Sequence, residues 1–511
     1  MPDWLCSLGI DHVFAVAGID VTWLLESLRR DPWIRLVAAT HEFVAGSMAE
    51  GFVRRSGRPA AVLVCGGPGE AVLLPSVLHG GVGDAPVLWI TGIAEGAPRD
   101  TAAPSSGLSA AVVQAAGLCA VTIRCGDELT GGLGRAADAL RSGRPALLQI
   151  SDAAQRLPFP ALLPVAGTGI RVAGSDSVVA RTVLAVGSGS LPWAEPIRQL
   201  SHRCQWPIIT DMTARGVVAE NSALALGHLG FLPSPAAVAA TDPTGPWAAT
   251  RVVALAASDE FLRALRSRGL SVDDVPAEAV TAWLGRHAGR PPAHESDAAW
   301  LSGLARLRPW REVVPHGDGL CHALLVREIA DFLGPRAVHV ADAGIFHQAV
   351  TLMVEAGSAR TVLSTAGLSL MGWSLGAAQG AALADPAVPV IAWLGDGSFL
   401  MHGLALATAA RDKLRVIHVI AENGVLGSPR SRHAVGPEDP ALLPAVDLAG
   451  VAAACGVAVM KVSDPAELRK ALPRLRDAEG PVVLLAAVGT SDPCVRGWAT
   501  GYAFLDRPRS V

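Results

Sequence analysis

An α/β protein of three domains, each a parallel sheet flanked by helices, is predicted by three observations. Short apolar runs alternate with longer helical patterns along most of the chain. Two stretches rich in Pro or Arg interrupt that alternation, near 156–169 and 286–318. The length of 511 residues exceeds what one hydrophobic core serves, since domains usually hold roughly 150 to 200 residues.

The first segment, 1–156, runs "HVFAVAG", "VTWLLESLRR", "IRLVAA", "EFVAGSMAEGFVRRSG", "AAVLVC", "PVLWITG" and "ALLQI". Apolar runs without strict alternation read as strands buried on both faces, which helices must cover. "RLPFPALLPVAGTG" then reads as a linker. The second segment, 171–310, carries "SVVARTVLAVGSGS", "WPIITDM" and "TRVVALAAS" and reads as a smaller α/β unit. Its "GSGS" at 187–190 follows a strand but lacks the full GxGxxG spacing, so it reads as a strand-to-helix turn before a dinucleotide loop. The third segment, 318–500, resumes with "LLVREIADFLG", "AVHVADAG", "PVIAWLGDGS", "RVIHVIAENG", "VAVMKVSD" and "PVVLLAAVG". No short-period repeat occurs, and the first and third segments are candidates for similar sheets in different roles.

Half the residues are hydrophobic and 17% are charged, the balance of a compact globular chain. A net charge of −4 provides no general attraction to nucleic acid or anionic membrane, so neither is an expected partner. Eight scattered cysteines without a CxxC pair suit a reducing, cytoplasmic setting. The charge-free stretches 101–123 and 361–384 are laced with Gly, Ser, Thr and Gln and do not read as membrane spans. Asp11 and His12 interrupt the start before any signal-peptide core forms.

"VPVIAWL" leads into "GDGSF", Gly395 to Phe399, and then into a helical pattern. A strand, a glycine turn and a helix start place backbone N–H groups where phosphate sits. Asp396 adds a carboxylate beside that place, and acid with phosphate is how proteins commonly hold Mg²⁺. Alone, GDG is a common turn, and so is "AENG" at 421–424. The 24 residues between Gly397 and Glu422 accommodate one helix and one return strand, which brings Asn423 beside Asp396 at the sheet's carboxyl edge.

This pair of motifs resembles the signature of thiamine-diphosphate (ThDP) enzymes, and the resemblance covers nearly the whole chain. It implies Mg²⁺ held by Asp396, Asn423 and the carbonyl of Val425, with Gly395, Gly397 and Ser398 at the cofactor. Glu422 departs from the pattern by replacing the first of two asparagines. "VAATHEFVAGSMAEGFVRRSGRPAAVLV" resembles the pyrimidine-binding motif and implies Glu42 as the acid at pyrimidine N1′. By itself Glu42 reads as an acid favoured by a helix dipole. Two separated motifs that agree favour the catalytic role. "STAGLSLMGWSLGAAQGAALA" resembles the segment that bends the cofactor, with Met371 beneath its rings and Ser374 and Gly376 as departures. "ADAGIFHQ" resembles a diphosphate-holding segment and implies His347, after an extra residue. "VCGGPGEAVL" resembles the glycine loop bordering the site, with Val72 in place of an asparagine.

The domain order and glycine motifs resemble those of acetolactate-synthase-like enzymes. This implies decarboxylation of a 2-oxo acid, carboligation of the resulting enamine to an acceptor carbonyl, and a homodimer or homotetramer with Glu42 acting across an interface. FAD occurs in such middle domains, but no motif here supports it. "RDTAAPSSGLSAAVVQAAGL" departs from the acetolactate synthase pattern. The stretch "LMHGLALAT…IHVIAENG" is similar to phosphonopyruvate and sulfopyruvate decarboxylases, which keeps simple decarboxylation open. A binding protein without turnover is the remaining alternative, supported by the charge of Glu422. His402 reads as packed inside before facing substrate. The loop with Arg430, Arg432 and His433 reads as solvated before meeting an anion.

Overall fold

The computed structural model describes residues 1–83, 85–93, 105–160, 181–289, 298–307, 313, 319–365, 367–427 and 438–489. Arg430, Arg432 and His433 lie outside them. The first sheet comprises β1 (His12–Ala15), β2 (Arg35–Ala38), β3 (Ala60–Val64), β4 (Val87–Ile93), β5 (Cys119–Ile123) and β6 (Ala146–Ser151), in the order β2-β1-β3-β4-β6-β5. The middle sheet comprises β7 (Thr182–Val186), β8 (Ile208–Thr210), β9 (Ala225–His228), β10 (Arg251–Leu255) and β11 (Val272–Val275), in the order β11-β10-β7-β8-β9. The third comprises β12 (Val338–Ala341), β13 (Val362–Ser364), β14 (Val390–Gly395), β15 (Val416–Glu422), β16 (Ala458–Val462) and β17 (Val482–Ala487), in the order β13-β12-β14-β15-β17-β16.

Every pairing within these sheets is parallel. Helices cover the faces, so all five residues of β3 and of β7 are buried. The strand orders of the first and third sheets are identical once numbered from their own first strands. The two domains therefore share one topology, and equivalent positions can be compared.

That equivalence pairs two helices. Glu42–Ser56 follows β2, and Trp373–Ala384 follows β13, the equivalent strand. The two pack directly on each other within one hydrophobic core that spans both domains. Their approach is backbone to backbone: a Cβ on Gly51 would lie 2.0 Å from the carbonyl oxygen of Ala377, and one on Gly380 1.8 Å from that of Met48. Only glycine permits this contact.

The helical pattern after "GDGS" is not one helix. It divides into Asp396–His402, a 3-10 turn at Gly403–Ala405 and Leu406–Arg411. Gly403 lies on the ring of Phe399, where a Cβ would come within 2.9 Å, and glycine is a weak helix former.

Candidate functional site

A cleft of about 1550 Å³ opens between the middle and third domains. Ser188, Asp211, Leu229 and Ser258, which follow middle-sheet strands, form one wall. The loops after β12, β13, β14 and β15 supply the other. Both walls are carboxyl edges of parallel sheets, the usual ligand position in such folds.

Asp396 begins the helix after β14, and its carboxylate joins two loops. One oxygen accepts the N–H of Gly397 at 2.8 Å; the other accepts those of Asn423 and Gly424 at 2.9 and 2.7 Å. The register Gly395↔Ala421 between β14 and β15 creates this meeting. Asn423 turns its side-chain oxygen onto the N–H of Val425 at 3.0 Å. The turn and the approach to Asp396 are thus one structure. Around it the space is open: a Cβ on Gly344, Gly395 or Gly424 would meet nothing within 4 Å. Gly397 is different, since Leu426 Cδ2 lies 2.7 Å from the position its Cβ would take, with Met371 Cε in contact at 3.4 Å.

Strand parity explains Glu422. Ala421 and Asn423 line the cleft, while Glu422 between them is exposed and outside its lining. The carboxylate at this departure does not face the cofactor-sized space.

Asp342, not singled out from the sequence, organises the other side of the cleft. Fully buried after β12, it accepts the N–H groups of Gly372 and Ser374 at 2.9 and 2.8 Å and the hydroxyl of Ser398 at 2.9 Å. It thereby fixes Met371's loop relative to the Asp396 helix. Burial raises its pKa, and these donors pull it back. The signal was present: "VADAG" repeats the strand–acid–glycine pattern of "LGDG".

His347 lies in the first turn of Ile345–Met353, at the cleft. It is 6% exposed, its ring stacks on Phe231 at 4.8 Å, and its Nε2 has no hydrogen-bond partner. Burial lowers its pKa to about 4, so it is neutral at pH 7.

Glu42 is elsewhere. It begins its helix at the carboxyl edge of the first sheet, capped by His41, whose Nδ1 accepts the Phe43 N–H at 3.2 Å. Gly69 leaves room for it, since a Cβ there would lie 3.2 Å from Glu42 Oε1. Glu42 does not line the cleft of its own chain. His402 packs, as expected, with its ring on Phe43 at 4.5 Å and near His41 at 5.1 Å. Burial, then His41, lowers its pKa to about 4. Val72 is 39% exposed and outside the cleft.

The "GSGS" loop is a packed turn. The Ser188 N–H already donates to Asp211 at 2.8 Å, and a Cβ on Gly187 would lie 2.4 Å from Ala257 Cα. A carboxylate holds the N–H that a phosphate would need.

Comparison with known proteins agrees with the architecture. Residues 1–115 match the family described as thiamine pyrophosphate enzyme, N-terminal TPP binding domain, and residues 342–486 match its C-terminal TPP binding domain. The chain belongs to the thiamine pyrophosphate enzyme family. Among relatives, it is 28% identical to a putative acetolactate synthase large subunit of Mycobacterium tuberculosis, across 94% of this chain and 97% of that one. It is 25% identical to the acetolactate synthase isozyme 1 large subunit of Escherichia coli, across 93% and 91%. It is 23% identical to an acetolactate synthase of Bacillus subtilis, across 96% and 92%.

The residues present fit the cofactor. Open glycines surround a buried carboxylate, and an unpartnered imidazole nitrogen lies at a helix start. Among the described residues no cluster of three His, Cys, Asp or Glu side chains could hold a metal. One carboxylate, one amide and one carbonyl suit Mg²⁺, which takes few protein ligands and keeps phosphate oxygens and water.

Proposed function

We propose that this protein is a Mg²⁺- and ThDP-dependent carboligase that decarboxylates a 2-oxo acid and joins the remainder to an acceptor carbonyl. The observation that carries this reading is the division of the site between two equivalent sheet edges. The cleft at the third sheet has the open cradle around Asp396, and the first sheet carries Glu42 outside it. A second copy that brings its Glu42 to this cleft completes the site, which makes the working unit a homodimer or a homotetramer built from such pairs. Exposed apolar side chains on both edges support a covering partner: Ile19 and Val72 on the first, Leu368, Met401 and Leu404 on the third.

When bound, ThDP supplies the nucleophilic carbon and the electron sink for this chemistry. Asp396, Asn423 and the Val425 carbonyl hold Mg²⁺. Gly395, Gly397, Ser398 and His347 receive the diphosphate. Met371, placed beside Gly397 by the hold of Asp342 on its loop, would support the cofactor's rings. Glu42 of the second copy would hold a proton at pyrimidine N1′. Asp342 orients both Met371 and Ser398 without touching the reacting atoms.

Glu422 is exposed, which removes the feature that favoured a binding protein without turnover. Among the described residues no helix is long and apolar enough to cross a membrane. Cys6, Cys65, Cys119, Cys125 and Cys455 are free thiols, which a cytoplasmic setting suits. FAD is not proposed, because the "GSGS" loop offers it no phosphate site.

The test measures CO₂ release from a panel of 2-oxo acids with ThDP and Mg²⁺, and analyses products with and without an aldehyde or second 2-oxo acid. Carboligation products that disappear in Glu42→Gln are expected. Aldehyde alone would place the protein among simple decarboxylases. Saturable cofactor binding without CO₂ from any substrate would overturn the enzyme reading.

A further inference from the structure

The middle domain grips one helix of the third domain at both ends. The helix is Ile345–Met353, whose first turn lines the cleft beside Gly344 and His347. At its far end, Arg215 donates to the carbonyl of Val354 at 2.7 Å, and Glu220 accepts the N–H of Ala356 at 2.9 Å. A backbone bond from Glu220 N to the Ala356 carbonyl at 3.0 Å reinforces the joint. Arg215 and Glu220 are themselves paired through two hydrogen bonds, at 2.8 and 2.7 Å, and both side chains are almost completely buried. A buried bidentate pair of this kind is rigid.

At the near end, the loop after β9 reaches across. Leu232 packs against the third domain's core, and its backbone takes a positive φ of 50°, a conformation that costs a branched residue free energy. His228 anchors the loop through Nε2 and the Phe231 carbonyl at 3.1 Å. The strained loop presents the Phe231 ring to His347 at 4.8 Å with an interplanar angle of 19°. No hydrogen bond from Nε2 fixes that imidazole. The aromatic face therefore defines the ring's plane.

We propose that Phe231 is a positioning residue for the diphosphate: the middle domain holds the Ile345–Met353 helix at both ends, and Phe231 orients His347 toward the bound phosphates. This rests on the ThDP reading above. It gives the middle domain a task that needs no nucleotide of its own. Neither Phe231 nor its loop carried any sequence signal for this role, because the contact joins residues more than a hundred positions apart.

The experiment is calorimetric titration of the full-length protein with ThDP at fixed Mg²⁺, repeated with inorganic pyrophosphate, which reports the diphosphate half alone. Variants are Phe231→Leu, Phe231→Tyr, His347→Ala and the double variant Phe231→Leu/His347→Ala. Loss of one oriented hydrogen bond to an anion predicts roughly tenfold weaker binding of both ligands in Phe231→Leu. Phe231→Tyr keeps the stacked ring and should stay within about twofold of the wild type. If Phe231 acts through His347, the double variant binds no worse than His347→Ala, a non-additivity that general destabilisation does not produce. Should Phe231→Leu not fold, Phe231→Met carries the same test. Additive losses, or unchanged affinity in folded Phe231→Leu, overturn the positioning role while leaving the ThDP reading intact. A wild-type protein that binds neither ligand overturns that reading, and this inference with it.

Discussion

Replacing Glu50 with Gln tests how the first and third domains are joined. Glu50 lies two turns beyond Glu42 on the same helix and has no exposed surface. Its carboxylate meets His79 Nδ1 and Trp373 Nε1, both at 2.8 Å, and pairs with Arg54. Arg54 in turn donates to the Ser364 carbonyl at 3.1 Å, so one buried cluster ties two helices of the first domain to the third. Burial alone would raise the Glu50 pKa, but Arg54, His79 and the hydrogen bonds hold it down at about 2. Set against 4.5, that depression corresponds to roughly 3 kcal/mol. Removing the charge also strands a buried guanidinium, a loss in the range of about 3–5 kcal/mol. At about 2–4 °C per kcal/mol for domains of this size, a loss of about 3–5 kcal/mol should lower the first thermal transition by roughly 6–20 °C at pH 7. The pH dependence has a definite sign. A depressed carboxylate pKa contributes stability above pH 4.5 that is lost as pH falls toward 2, so the gap between wild type and variant should narrow across that window. Near-UV circular dichroism melts at pH 7, 5 and 3 measure it. A shift below about 2 °C at pH 7, or a gap unchanged at pH 3, would refute the assignment.

Other substitutions probe the cleft and the helix crossing. Asp396→Ala removes a candidate metal ligand and the acceptor for three N–H groups; ThDP affinity at fixed Mg²⁺ should fall by about a hundredfold, read by titration. Glu422→Asn restores the pair implied by the resemblance, but because the side chain is exposed, ThDP affinity should change by less than about twofold. Gly380→Ala forces a Cβ against the Met48 carbonyl and should cost about 3 kcal/mol or more in thermal denaturation, despite alanine's better helix propensity. His402, with its folded pKa near 4, binds fewer protons than the unfolded chain between pH 6.5 and 4; its contribution to stability should fall as pH drops through that window, an effect absent from His402→Phe melts.

Asp396 and Asn423 were legible because strand–turn–helix chemistry is written in consecutive residues, and the intervening length allowed only a short crossover. Glu42 was legible through its motif, and the resemblance implied that it acts across an interface, but the packing that sets it apart from the cleft of its own chain was not legible. That depends on how two sheets of one topology are turned by a helix crossing, which Gly51, Gly376 and Gly380 permit without declaring. Asp342 carried a local pattern that was readable and was passed over. Phe231 carried none.

By itself the sequence determined the parallel α/β architecture, the glycine-framed acid with its matching asparagine and the candidate Glu42, since backbone geometry and short-range turn chemistry act between neighbours. Only the tertiary structure decided that Glu422 faces outward, because strand parity matters only once the strand's end is placed. It also decided that Asp342 joins two loops, that the "GSGS" turn is filled and that the middle domain grips the helix beside the cleft. Those outcomes depend on contacts between residues far apart in the chain, whose proximity is a property of the packed whole.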